Sequence, residues 1–103
     1  MSQSQPRLST QALKVFGVLM ASPRDELSGA EIGRSAKLAS GTLYPILLRF
    51  EQAQWLQSRW EDDDPHTLGR PRRRFYRVTP LGAKNAKAAF RELEPAIGRL
   101  AWS

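Results

Sequence analysis

Gly69-Arg70-Pro71-Arg72-Arg73-Arg74-Phe75-Tyr76 is the stretch on which the fold turns, because it sets four guanidinium groups at the end of a loop, directly before an aromatic pair. Pro71 fixes one backbone angle and removes a hydrogen-bond donor, Gly69 permits a turn, and Phe75-Tyr76-Arg77-Val78 reads as a strand. The pattern predicts the charged tip of a β-hairpin. Guanidinium forks match phosphate oxygens, so such a tip is a candidate contact for a nucleic-acid backbone.

Working outward, Leu56-Gln57-Ser58-Arg59-Trp60 alternates as a half-buried strand does and supplies the partner across a long tip. Upstream, Ser9 or Thr10 caps a first helix in which Ala12, Leu13, Phe16, Leu19 and Met20 recur at helical spacing until Ala21-Ser22-Pro23. Ser28 followed by Glu31 is a capping-box signature for a short second helix through about Ala36, with Ile32 inward. After the turn Lys37-Leu38-Ala39, Ser40 can cap a third helix. Its Leu43, Ile46, Leu47 and Phe50 share one face, while Thr42, Tyr44 and Arg49 point elsewhere. Two short helices joined by a tight turn suggest helix-turn-helix. Downstream, Thr79 and Pro80 form an N-cap and first position. Ala86, Phe90, Leu93, Ile97 and Leu100 then step by four, three, four and three, the spacing of a self-associating seam. Pro95 is expected to kink or shorten that helix.

The expected architecture is mainly α (α+β): a winged helix-turn-helix with three helices, a two-stranded β-wing and a long C-terminal helix. Residues 1–8 are expected as a flexible leader, 9–78 as the DNA-binding domain and 79–103 as the dimerisation helix. A chain of 103 residues with a net charge of +6 and a pI near 10.5 is one domain suited to a polyanionic partner. It has no cysteine, which excludes disulfides, thiolate metal sites and thiol nucleophiles. No apolar run approaches the roughly 20 residues of a membrane span, and Met1 to Arg7 lacks the apolar segment of a signal peptide. A soluble cytoplasmic protein is the expectation.

Ser40, Gly41, Thr42 and Tyr44 stand at the start of the third helix, the end that enters the major groove in helix-turn-helix proteins. The competing reading is an ordinary capped helix with Tyr44 packed on the surface. Arg70, Arg72 and Arg73, with Arg74, are taken as phosphate contacts, and Glu61, Asp62, Asp63 and Asp64 as solvated loop. Permanent pairing between the two runs would leave little positive field for DNA. His66 has no second soft ligand, so no metal is expected. With no second histidine, glycine-rich phosphate cradle or placed carboxylate pair, neither an enzyme nor a cofactor is expected. Trp55 and Trp60 read most simply as core. Trp102, near the end of the seam, fits either a dimer interface or a flat aromatic ligand.

The chain resembles the PadR family of winged-helix transcriptional regulators over roughly residues 10 to 95. The match is carried by Ser40-Gly41-Thr42-Leu43-Tyr44-Pro45-Ile46-Leu47, Arg49-Phe50-Glu51, Ser58-Arg59-Trp60-Glu61 and the run from Gly69 to Gly82. The resemblance implies a homodimer whose third helix reads the major groove while the wing contacts the backbone or minor groove. On matching positions it implies Ser40, Gly41, Thr42 and Tyr44 as helix contacts and Arg70 and Arg72 at the wing. It also implies dimerisation through the C-terminal helix, here Phe90, Leu93, Ile97 and Leu100, with help from the first helix through Phe16. Many members are repressors, some released by small aromatic effectors, for which Trp102 is the candidate contact.

Two positions depart from the family pattern. Gln54 stands where glycine is usual after the third helix, so a left-handed turn there is either absent or occupied by glutamine at some cost. Leu48 is apolar at a variable position and is read as core edge, the alternative being contact with a thymine methyl. The expected function is a bacterial-type repressor that occludes a promoter by binding a pseudo-palindromic operator in double-stranded DNA. The alternative is a winged-helix module that grips an acidic protein and has no specific duplex target.

Overall fold

Ser9 opens the first helix, α1 (Thr10–Ala21), by accepting from the Ala12 N–H at 3.1 Å, and Ser22 closes it through a bond to the Leu19 carbonyl. The computed structural model describes the backbone of residues 9–102 and side chains as far as Glu92. The leader at 1–8 therefore lies outside the described residues, as do the side chains of Leu93, Ile97, Leu100 and Trp102. Next come β1 (Leu27–Ser28), α2 (Gly29–Ala36), α3 (Ser40–Gln52), β2 (Leu56–Trp60), α4 (Pro65–Leu68), β3 (Arg74–Val78) and α5 (Pro80–Trp102).

The capping box is realised in both directions, with Ser28 Oγ accepting from the Glu31 N–H at 3.1 Å and Glu31 Oε1 from the Ser28 N–H at 3.2 Å. The third helix starts one residue earlier than the sequence suggests. Ala39, not Ser40, is its N-cap, and no side-chain bond closes that end. Pro95 does not shorten α5, which runs on to Trp102.

Both strands of the expected wing are present, and a third strand joins them. β3 pairs antiparallel with β2, from Leu56 opposite Val78 to Trp60 opposite Arg74. On its other edge β3 pairs with β1, Leu27 opposite Tyr76, which gives a three-stranded sheet in the order β1-β3-β2. The long tip also carries a helical turn, α4, capped by Asp64 at one end and by Gly69 (φ 68°) at the other.

The core is an aromatic triad. Phe16 lies 4.8 Å from Phe50 and 5.5 Å edge-on from Trp55, and Phe50 stacks on Trp55 at 5.5 Å. Val15, Leu19, Ile32, Leu43, Leu47 and Leu56 surround it, all buried. Burying each such side chain contributes about 1.5–3 kcal/mol. Phe16 is 1 % exposed, so it is a residue of the monomer's core and not of a dimer interface, contrary to the expectation from the resemblance. Trp60 also departs from its reading as core, at 55 % exposed. Among the described residues, no helix is long and apolar enough to cross a membrane.

The junction between α3 and α5 is set by Gln54, which adopts the left-handed φ of 66°. Thr79 ties this turn down: its hydroxyl donates to the Gln54 carbonyl at 2.6 Å, its N–H donates to the Trp55 carbonyl at 2.9 Å, and its Oγ1 accepts from the Gly82 N–H at 2.9 Å. Gly82 is required there, because a Cβ on it would stand 2.8 Å from Trp55 Cα and closer still to the Trp55 carbonyl.

Candidate nucleic-acid interface

Leu43, Ile46, Leu47 and Phe50 hold one face of α3 in the core, which turns Ser40, Gly41, Tyr44, Pro45, Leu48 and Arg49 outward. The uncapped N-terminus of α3 thus stands at the surface, where free N–H groups and the positive end of the helix dipole favour an anion. Tyr44 is 45 % exposed and lies over α2, close enough that a Cβ on Gly29 would meet its ring at 2.9 Å. Thr42 is half-buried beside it.

The wing arginines do not form one free cluster. Arg70 Nη1 and Nη2 donate to Glu61 Oε1 and Oε2 at 2.7 and 3.1 Å, and the Arg73 N–H donates to Glu61 Oε1 at 3.1 Å. Glu61 is therefore not part of a solvated acidic loop. The Arg70 guanidinium, helped by the Arg73 N–H, holds its carboxyl down at about 2 despite the opposing effect of partial burial. The Arg70 guanidinium is raised above its usual value by the same bond. Arg72 Nε donates to the Asp63 carbonyl at 3.0 Å, and both Arg72 and Arg73 are exposed.

Arg74 belongs to β3 and not to the tip. Its Nη2 reaches Glu51 at 3.3 Å, and its guanidinium lies 5.0 Å over the Trp60 ring. Ser58 Oγ donates to the same Glu51 carboxylate. On the opposite side Arg59 pairs with Glu26 at 2.6 Å and lies 5.3 Å over Phe75. Burial raises the Tyr76 hydroxyl above its usual pKa and keeps it neutral at the base of the wing.

Three hollows join these parts into one surface. Arg34, Lys37, Ser40 and Tyr44 line the first, and Tyr44, Arg72, Arg73 and Arg74 the second. The third lies between α3 and the wing and is lined by Tyr44, Pro45, Leu48, Glu51, Trp60, Arg74 and Tyr76. The structure thus brings Ser40, Tyr44, Arg72 and Arg73 onto adjoining surface, holds Arg70 in its pair with Glu61, and removes Phe16 from the set. Sequence reasoning missed Arg34 and Lys37; the cue available was Lys37 in the inter-helix turn, where it takes a left-handed φ of 58°. Leu48 is 56 % exposed, which corrects its reading as core edge. Among the described residues, no group of three His, Asp or Glu side chains is placed to hold a metal ion.

A third helix standing beside a basic two-stranded hairpin defines the winged-helix class of protein. The family model of the transcriptional regulator PadR-like family matches residues 16–88, and the chain belongs to that family of regulators, which are not enzymes. Among solved structures, it is similar to a PadR family transcription regulator from hypervirulent Clostridium difficile, with 19 % identity and a TM-score of 0.72 over 91 % of this chain and 97 % of that one. It is also similar to a MarR family transcriptional regulator from Silicibacter pomeroyi, with 20 % identity and a TM-score of 0.68 over 90 % of this chain and 57 % of that one. A MepR mutant from a multidrug-resistant S. aureus clinical isolate gives 18 % identity and a TM-score of 0.65 over 79 % of this chain. The chain spans 54 % of that MepR chain, and at these identities the likeness is one of fold. No curated protein matches the chain.

Proposed function

We propose that this regulator is a homodimeric, sequence-specific DNA-binding repressor acting by promoter occlusion in the bacterial cytoplasm. One observation carries the reading: Tyr44 of α3 shares a single hollow with Arg72, Arg73 and Arg74, so base-reading and phosphate-binding groups adjoin. The start of α3 would enter the major groove, with Ser40, Gly41, Thr42 and Tyr44 at base edges or sugar, and Arg34 and Lys37 would flank it on phosphates. Arg72 and Arg73 would follow the neighbouring backbone, joined by Arg70 when phosphate displaces Glu61.

Dimerisation would place two such helices about 34–36 Å apart on a pseudo-palindromic operator. Phe90, half-buried against the core, starts the seam that continues in sequence through Leu93, Ile97 and Leu100. A small aromatic effector is the candidate ligand, with Trp102 its candidate contact by sequence position.

Base contacts and phosphate contacts separate by substitution. Arg72→Ala and Arg73→Ala should weaken binding to all duplexes alike and flatten the salt dependence by about one ion each. Thr42→Ala should relax sequence preference with the salt slope unchanged. If both kinds of substitution leave duplex affinity unchanged, the surface has been misassigned.

A further inference from the structure

Tyr44, Leu48 and Trp60 are large apolar side chains left 45 %, 56 % and 55 % exposed, and all three wall the hollow of about 500 Å³ between α3 and the wing. A single exposed leucine needs no explanation, but three large apolar groups converging on one concavity do. The charged groups of the hollow are already engaged: Glu51 accepts from Ser58 and Arg74, and Arg74 lies over the Trp60 ring. The surface left to an occupant is therefore mainly apolar.

The next hollow shares Tyr44, Trp60, Arg74 and Tyr76 with this one and adds the exposed Arg72 and Arg73. The occupant that fits both carries phosphates beside an apolar group, which describes a nucleic-acid strand. In the major groove, the apolar feature on base edges is the thymine C5-methyl. Leu48 lies one helical turn beyond Tyr44 on the outward face of α3, placed to meet a base edge further along the groove than those near Thr42.

We propose that Leu48, backed by Tyr44 and Trp60, is a specificity-determining residue that seats a thymine C5-methyl at a fixed position in each half-site. The proposal rests on the DNA-binding reading above and adds a base preference to it. Leucine has no donor or acceptor, so it selects by the presence of the methyl group, and the other bases at that position leave the apolar wall uncovered.

The test replaces thymidine by deoxyuridine, one position at a time, in a duplex recovered by selection from a random pool. This removes one methyl and no hydrogen-bonding group. Titrations of the full chain should show a position in each half-site where the change weakens binding about fourfold, the factor expected for one methyl leaving an apolar contact. Leu48→Ala should abolish that sensitivity and Leu48→Met should restore it, with circular dichroism showing both variants folded. Equal sensitivity in the wild type and Leu48→Ala, or no sensitive thymine at all, overturns the proposal while specific DNA binding stands. Failure of the selection to recover any preferred duplex overturns the DNA-binding reading itself.

Discussion

Arg70 and Glu61 are paired fork to fork, with Nη1 2.7 Å from Oε1 and Nη2 3.1 Å from Oε2. The pair places a carboxylate of the wing loop against one of the arginines expected at phosphate, so DNA must compete for that guanidinium. Substituting Glu61→Gln keeps an oxygen for the Arg73 N–H and removes the charge. Duplex binding should tighten at low salt and its salt slope should steepen by about one ion. An unchanged slope would mean that Arg70 makes no phosphate contact even when released.

The same carboxyl fixes the direction of a pH effect. Its folded-state pKa lies near 2, below the ordinary 4.5. The pair's stabilisation is therefore fully present above about 4.5 and is lost as pH falls from there towards about 2. Thermal midpoints measured across that window should fall more steeply for the wild type than for Glu61→Gln, and parallel curves would show that the pair does not contribute.

Gln54 holds a left-handed φ of 66° with its side chain exposed and its carbonyl accepting from Thr79. Gln54→Gly should raise stability by about 0.5–1 kcal/mol, the left-handed penalty less the extra entropy of an unfolded glycine. Denaturant midpoints read this directly. A lower midpoint would mean that the glutamine side chain stabilises the turn.

Gly82 and Phe16 test the core. Gly82→Ala forces a Cβ against the Trp55 backbone and should cost about 1–3 kcal/mol. Phe16→Ala empties the centre of the aromatic triad and should cost about 3–5 kcal/mol. If Phe16 instead served an interface, its substitution would shift the dimer dissociation constant with the monomer's stability intact.

Signals carried by neighbouring residues were legible in the sequence. Ser9 with Ala12, Ser28 with Glu31 and Thr79 with Pro80 mark helix starts within three residues, and the buried face of α3 follows from its spacing. What escaped depends on partners far along the chain. Leu27 and Ser28 are too short a strand to read until Tyr76 and Phe75 are known to lie beside them. Trp60 shares the face of Leu56, but β2 runs beyond the core, so the same alternation that buries Leu56 leaves Trp60 in the open. Leu48 lies two residues from Phe50, about 200° around the helix, so it turns outward although it is apolar. Among the wing arginines, which one is tied to an acid depends on the fold-back that brings Glu61 against Arg70 and Arg73.

Selection of bound duplexes from a random pool by the intact protein tests the central claim most directly. Recovery of a pseudo-palindrome, with half-sites about one helical turn apart and preference lost in Thr42→Ala, is the predicted result. A bound pool indistinguishable in sequence from the input would contradict it, leaving a basic winged helix that holds phosphate without reading bases.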